Sequence, residues 1–174
     1  VFQMSDFRNG VIGDGMIAAT FLAISVGKMR NKAYNAIAYS IAALERASDY
    51  LDKISDYSVL VELSVPELEN LYSVVSTIQH TAAQLLMYST AMIDPNDPEA
   101  MDKLEKLQKL AIEVIEKASK ARAMIMVVIF AKKTGKAGEL LDGKLGPLEP
   151  SPIVEQEIFE QAMKNDESGD YKDP

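Results

Sequence analysis

Apolar residues recur at helical spacing along most of the chain, in three long stretches. The first, residues 14–55, contains no proline, and its second half repeats apolar residues every three or four positions. Its first half, residues 16–26, is apolar nearly all round. Gly27 either divides the two halves or lies within one continuous helix. The pattern therefore predicts a first long helix, interrupted or not.

The second stretch begins at a capping box, in which Ser64 is followed three residues later by Glu67. The predicted helix continues to about Ile93 and ends at Asp94-Pro95. Its apolar residues alternate three and four positions apart, which is typical of a seam buried in a helical bundle. The seam consists of Leu68, Leu71, Val75, Ile78, Ala82, Leu85 and Met92.

The third predicted helix opens at Asp97-Pro98, with proline at the first helical position, and continues to Thr134 before Gly135. Four Glu/Lys pairs at i,i+4 spacing indicate a solvated face along its first half. Its last part, residues 123–131, is a run of consecutive apolar residues.

The rest of the chain divides into a linker and a short terminal segment. Residues 135–152 contain four glycines and three prolines, and Ser151-Pro152 then predicts a last helix to about Lys164. We therefore expect an all-α fold, an antiparallel helical bundle of three long helices plus a short C-terminal helix. The expected domains are a bundle at 1–134, a Gly/Pro linker at 135–152, and the C-terminal helix with an acidic tail at 153–174.

Composition excludes several kinds of chemistry. The 174 residues include no cysteine, which excludes a disulfide framework and a thiol nucleophile, and the single histidine, His80, has no metal-ligand spacing around it. The net charge is −8, of which residues 149–174 carry −6, so nucleic acid is an unfavourable partner. We predict no catalytic residue, metal site or cofactor, and we expect that the protein is not an enzyme.

A stripe of small residues marks the first helix. Gly15, Ala19, Ala23 and Gly27 recur every four positions, a spacing that lets a second helix approach closely. The stripe predicts either a contact between subunits or a tight contact inside one molecule.

The second helix lacks charge over 24 residues, between Glu69 and Asp94. The face opposite its apolar seam carries hydroxyl and amide groups, among them Ser73, Thr77 and Gln84, which lose less on desolvation than charges do. We expect this face to be covered, either by the C-terminal segment or by another subunit.

Two apolar runs each lead into a basic cluster, and the charge of both clusters is complementary to the acidic segment 155–173. We predict that this segment contacts them, within one molecule or between neighbours. The alternatives are a membrane surface or phosphates with the apolar runs partly inserted, or two ordinary solvated helix ends. The clusters are Lys28, Arg30 and Lys32, and Lys132, Lys133 and Lys136.

These surfaces favour a self-assembling structural protein, a subunit of a homo-oligomeric array such as a virion shell (capsid or coat) or a surface filament. Its expected partner is itself, and its expected location is a virion or cell surface, with the cytoplasm as the alternative. One alternative function is a soluble signalling or adaptor bundle with phosphotransfer at His80. Another is a carrier of an apolar small molecule lined by Met87, Met92, Met124 and Met126.

Overall fold

A computed structural model describes residues 4–141 of the chain, and the side chains of residues 10–140. Every regular element in this range is helical, which confirms the all-α fold class. The helices are α1 Met4–Arg30, α2 Ala36–Ile54, α3 Tyr57–Leu60, α4 Val65–Ser89, α5 Pro98–Lys133 and α6 Ala137–Leu141. A 3-10 turn at Thr90–Met92 follows α4.

The described residues form four long helices rather than the expected three, because residues 14–55 fold as two. Helix α1 passes through Gly27 without interruption and ends in a Schellman motif. There the Ala33 amide donates to the Lys28 carbonyl (2.9 Å), and the Lys32 amide donates to the Met29 carbonyl (3.2 Å). Lys32 has a φ of 53°, a left-handed conformation that glycine or asparagine usually supplies. No glycine marks the break, so the sequence pattern did not locate it.

Helix α4 begins at the predicted capping box. The Glu67 amide donates to the Ser64 hydroxyl (3.2 Å), and the Ser64 amide donates to the Glu67 carboxylate (3.0 Å). The predicted apolar seam is buried from Leu68 to Leu85, whereas Met92 is half-buried in the 3-10 turn. The seam is therefore confirmed along the whole length of α4.

The end of α5 also follows the sequence pattern. Gly135 has a φ of 74°, and the Lys136 amide donates to the Ala131 carbonyl (2.7 Å), so a second Schellman motif ends the helix. The predicted C-terminal helix after Ser151-Pro152, the acidic tail and most of the 135–152 linker lie outside the described residues.

Two helical hairpins make up the bundle, and each is antiparallel. Tyr50, near the end of α2, donates a hydrogen bond from its hydroxyl to the Val11 carbonyl of α1 (2.8 Å). Gln108, in the early part of α5, donates to the Ser89 hydroxyl at the end of α4 (3.1 Å). Helices α1 and α2 therefore run in opposite directions, as do α4 and α5.

Between the hairpins, the neighbouring helices are parallel. Gly15 of α1 lies beside Val74 of α4, and fifteen residues further on Arg30 lies over the Tyr88 ring, 5.5 Å from its centroid. The long helices follow the order α1, α2, α5, α4 around the bundle. The segment that joins α2 to α4 therefore connects helices at diagonally opposite corners. The antiparallel arrangement expected from the sequence is therefore found within each hairpin, whereas neighbouring helices of different hairpins are parallel.

Ion pairs join α2 to α5, on the side of the bundle away from α1 and α4. Lys117 of α5 contacts the Asp52 carboxylate (2.9 Å) and donates to the Ser48 hydroxyl (2.7 Å), and Lys106 contacts Glu45 (3.3 Å). The pKa of Lys117 is raised, chiefly by its hydrogen bond to Asp52. This α2–α5 side is therefore strongly charged and solvated.

Candidate interaction surface

The outward side of α1 exposes large apolar side chains. Met16 is 57% exposed, and Ile17 and Ile24 are each 43% exposed. The stretch Gly10–Arg30 is long and apolar enough to cross a membrane by length and composition alone, and only 28% of its apolar window is buried within the protein. A core helix of a soluble protein is buried over most of its surface, so α1 is less covered by the described residues than a core helix would be.

The outward side of α4 is polar but uncharged. Ser73, Thr77 and His80 are exposed, and Gln84 is half-buried. The Thr77 hydroxyl donates to the Ser73 carbonyl (3.0 Å) within the same helix. Because that hydroxyl already has a partner, covering it removes little hydrogen bonding to water.

These two outward sides lie next to each other, because α1 and α4 are neighbours along their lengths. We call the combined area the α1–α4 surface. Between Asp14 and Lys28 its α1 part contains no charged residue, and between Glu69 and Asp94 its α4 part contains none. The α1–α4 surface thus lacks charge along these stretches, whereas the α2–α5 side carries ion pairs.

The small-residue stripe does not lie on a single surface. Gly15 is buried: a Cβ atom there would lie 2.7 Å from Tyr50 Cζ and 2.8 Å from Val74 Cγ1, with the Tyr50 hydroxyl nearer still. Ala19 is half-buried, whereas Ala23 is exposed and Gly27 has open space where a Cβ would lie. The start of the stripe therefore packs inside the molecule, and its end belongs to the α1–α4 surface.

Gly15 makes room for a buried phenol. Tyr50 is 7% exposed, and burial together with the nearby negative charge of Asp14 raises the pKa of its hydroxyl well above its ordinary value. The neutral phenol donates to the Val11 carbonyl and so joins α2 to α1. This contact between three helices is structural, and the sequence alone did not reveal it.

The two predicted basic clusters lie at opposite ends of the bundle. The cluster of Lys28, Arg30 and Lys32 follows the end of α1, beside the end of α4. The cluster of Lys132, Lys133 and Lys136 lies at the far end of α5, level with the start of α4 because those two helices are antiparallel. The acidic segment 155–173 predicted to contact them lies outside the described residues.

Lys28 is already held in place by neutral groups. Its Nζ atom donates to the Asn35 side-chain oxygen (3.1 Å) and lies 5.1 Å from the centroid of the Tyr39 ring. Phe21 packs against the same Tyr39 ring, with their centroids 6.1 Å apart. The ammonium group is thus fixed on the side of α1 that faces α2.

The residues named for the two alternative functions, phosphotransfer and carriage of a small molecule, do not come together within the described range. His80 is exposed in the middle of α4. Met87 and Met92 lie near the end of α4, whereas Met124 and Met126 lie in the last third of α5, at a different level of the bundle. Among residues 10–140, no group of three potential metal ligands lies together. An open groove runs along the charged surface of α5, between Asp102 and Glu113.

Sequence reasoning identified the apolar run of α1 but not which of its residues face outward. That assignment depends on the partners of α1, which contact Ala18, Leu22 and Met29 and leave Met16 and Ile24 uncovered. Among known proteins, the chain matches no family model, no curated protein and no solved structure.

Proposed function

We propose that this protein is a non-enzymatic, self-assembling structural subunit, and that its copies associate through the α1–α4 surface into a homo-oligomeric array such as a virion shell or a surface filament. The observation that carries the proposal is the exposure of Met16, Ile17 and Ile24 on a surface that lacks charge across two neighbouring helices. Exposed apolar areas bordered by polar residues are typical of protein–protein contacts.

The polar half of the α1–α4 surface supports the same proposal. Interfaces are depleted of charged residues at their centres, because a charge that loses water must find a partner. The hydroxyl and amide groups of Ser73, Thr77 and Gln84 lose less on desolvation, so a second copy covers them at modest cost.

Sedimentation velocity over a range of concentrations tests the proposal. The monomer has a mass of 19.1 kDa, and we expect species of at least twice that mass. Ile24→Glu places a charge on the α1–α4 surface and should weaken association about tenfold or more. Ile112→Glu is the matched control, since Ile112 is 46% exposed on α5 among charged neighbours, and it should leave association unchanged. A 19.1 kDa particle at every concentration contradicts the proposal.

A second candidate is attachment of α1 to a membrane surface. It is favoured by the length and apolar character of Gly10–Arg30, and by the positive charges of Lys28, Arg30 and Lys32 at the end of that stretch. Co-sedimentation with vesicles tests it, comparing anionic with neutral lipids. Binding that needs anionic lipid and is lost in Ile24→Glu supports attachment, whereas protein that stays in the supernatant with both lipids rejects it.

A further inference from the structure

Arg122 of α5 packs against α4 and contacts no acidic group among the described residues. Its Nη1 atom donates to the Gln79 side-chain oxygen (2.8 Å), and its Nη2 atom donates to the Tyr72 hydroxyl (2.9 Å). The guanidinium group also lies 5.0 Å from the centroid of the Tyr72 ring. Its Nε atom is buried and has no hydrogen-bond partner within residues 10–140. Arg122 is therefore a half-buried cation held only by neutral groups, and a cation that has lost water is stabilised by an opposite charge.

Along the junction of α4 and α5, the described residues one or two turns from Arg122 are uncharged. We call this area the α4–α5 surface. It consists of Gln79 and Ala83 of α4, and of Ser119, Arg122, Met126 and Phe130 of α5. Phe130 is 65% exposed, and Ala83 is exposed as well. The α4–α5 surface therefore presents one cation among apolar and uncharged polar groups.

The chain beyond the described residues contains a segment whose sequence pattern is complementary to this surface. In a predicted helix over 153–164, most apolar residues fall on one side, because successive positions differ by 100°. They are Val154, Ile158, Phe159, Ala162 and Met163. Glu155 falls in the middle of that side, whereas Glu157 and Glu160 fall opposite it. An acidic group in the middle of an apolar side is costly to cover unless it meets a cation.

We propose that residues 153–164 bind back on the same molecule as a helix on the α4–α5 surface, and that the Glu155 carboxylate pairs with the Arg122 guanidinium. The apolar side of the segment has one acidic residue, and the surface has one basic residue. A helix of this length is about 18 Å long, and Ser119 and Phe130 lie about 17 Å apart along α5. The inference goes beyond the proposed function, because α4 contacts α5 on one flank and α1 on the other.

The chain approaches this surface from a suitable end of the bundle. Helix α6 packs against α5 and ends at Leu141, shortly after the end of α5. Residues 142–152 can span up to about 36 Å when extended, whereas Arg122 lies about 17 Å along α5 from Lys133. A segment that turns back at this end runs antiparallel to α5 and therefore parallel to α4. Later residues of the segment are then level with later residues of α4.

Hydrogen exchange in the full chain tests whether the segment binds. A free helix of this length is marginal in water, so the bound amides of 154–164 should exchange about tenfold more slowly than unbound ones, or slower still. Glu155→Lys places a like charge against Arg122 and should remove this protection. Glu157→Lys is the matched control: it makes the same change of charge on the opposite side of the segment and should keep the protection. Neither substitution lies in helices α1 to α6. An unprotected segment, or equal protection in the two variants, overturns the proposal.

Because the chain has no cysteine, paired substitutions locate the contact. Ala162 lies two turns beyond Glu155 in the segment. Ala83 lies about two turns along α4 beyond the level of Arg122, as the contacts of that guanidinium show. Ala83→Cys with Ala162→Cys should therefore form a disulfide within one molecule under mild oxidation. Ala23→Cys with Ala162→Cys is the matched control, because Ala23 is an exposed alanine at nearly the same level on α1.

An internal disulfide that forms at least about tenfold faster with Ala83→Cys than with Ala23→Cys supports the proposal. Cross-linking through Ala23→Cys that is as fast or faster overturns it. Disulfide-linked dimers in place of an internal disulfide show that the segment binds a second copy, which overturns binding within one molecule. Sedimentation of the unaltered protein is a separate measurement, so failure of the α4–α5 contact and failure of association through the α1–α4 surface are distinguished.

Discussion

Replacing Gly15 by alanine tests whether the small-residue stripe begins inside the molecule. The added Cβ atom would lie 2.7 Å from Tyr50 Cζ on α2 and 2.8 Å from Val74 Cγ1 on α4. The Tyr50 ring does not move freely, because it is 7% exposed and its hydroxyl is bound to the Val11 carbonyl. The substitution therefore forces α1 away from α2 or α4, or displaces the Tyr50 ring.

The expected magnitude follows from three contributions. Overpacking a closed site costs about 1–3 kcal/mol, and loss of the hydrogen bond from Tyr50 to Val11 costs about 0.5–1.5 kcal/mol. Alanine within a helix recovers about 1 kcal/mol relative to glycine. The free energy of unfolding should therefore fall by about 2 kcal/mol in Gly15→Ala.

Gly10→Ala is the matched control in the same helix. A Cβ atom at Gly10 would meet nothing within 4 Å, so this substitution gains only helix propensity and should raise the free energy of unfolding by about 0.5–1 kcal/mol. Urea denaturation of both variants, monitored by circular dichroism, gives the comparison.

A double-mutant cycle assigns the loss to Tyr50. Tyr50→Phe removes the atom nearest to the new Cβ, so Gly15→Ala should cost less in that background, with a coupling of about 0.5–2 kcal/mol. If Gly15→Ala proves as stable as Gly10→Ala, the close packing of Gly15 against Tyr50 is refuted. The start of the small-residue stripe would then not be packed inside the molecule.

Two further predictions concern the stability of the fold. The buried phenols of Tyr50 and Tyr57 have raised pKa values, so the folded state holds these protons more tightly than the unfolded chain does. The stability that results is complete below about pH 10, the ordinary pKa of tyrosine, and falls as the pH rises above it. Denaturation at about pH 8 and about pH 11 should show this fall, reduced in Tyr50→Phe, and an equal fall in that variant would contradict the role of Tyr50. Ser64→Ala removes the cap of α4 and should lower the free energy of unfolding by about 1 kcal/mol. The control Ser76→Ala, inside the same helix, should change the free energy of unfolding by less than about 0.5 kcal/mol. Equal losses in the two variants would contradict the capping role.

Local signals in the sequence accounted for those parts of the fold that local physics determines. The capping box at Ser64, the buried seam of α4 and the glycine that ends α5 each depend on residues within a few positions of one another. The break after Arg30 escaped prediction because Lys32 adopts a left-handed conformation without being glycine. Such a break depends on how α1 and α2 pack, which no short window of sequence records.

The candidate surface could be predicted only in part, for the same reason. Gly15 and Gly27 are the same residue type in one regular stripe, yet one is enclosed and the other is open. What separates them is Tyr50, thirty-five positions further along the chain, together with Val74 on a third helix. The lack of charge on α4 was visible in the sequence, but its position beside the exposed apolar residues of α1 required the helix order.

The α1–α4 surface differs in composition from the other outward side of the bundle. The α2–α5 side shows that this bundle accepts charged residues on outward helix faces, where Lys117 contacts both Asp52 and Glu113. Residues such as Ser73 and Thr77 are weaker helix formers than glutamate or lysine, by about a few tenths of a kcal/mol per residue on the scale of host–guest measurements. A solvated α4 would be more stable and more soluble with charged residues at these positions. Their absence across both helices supports the proposed association, in which this surface loses its water when a second copy binds.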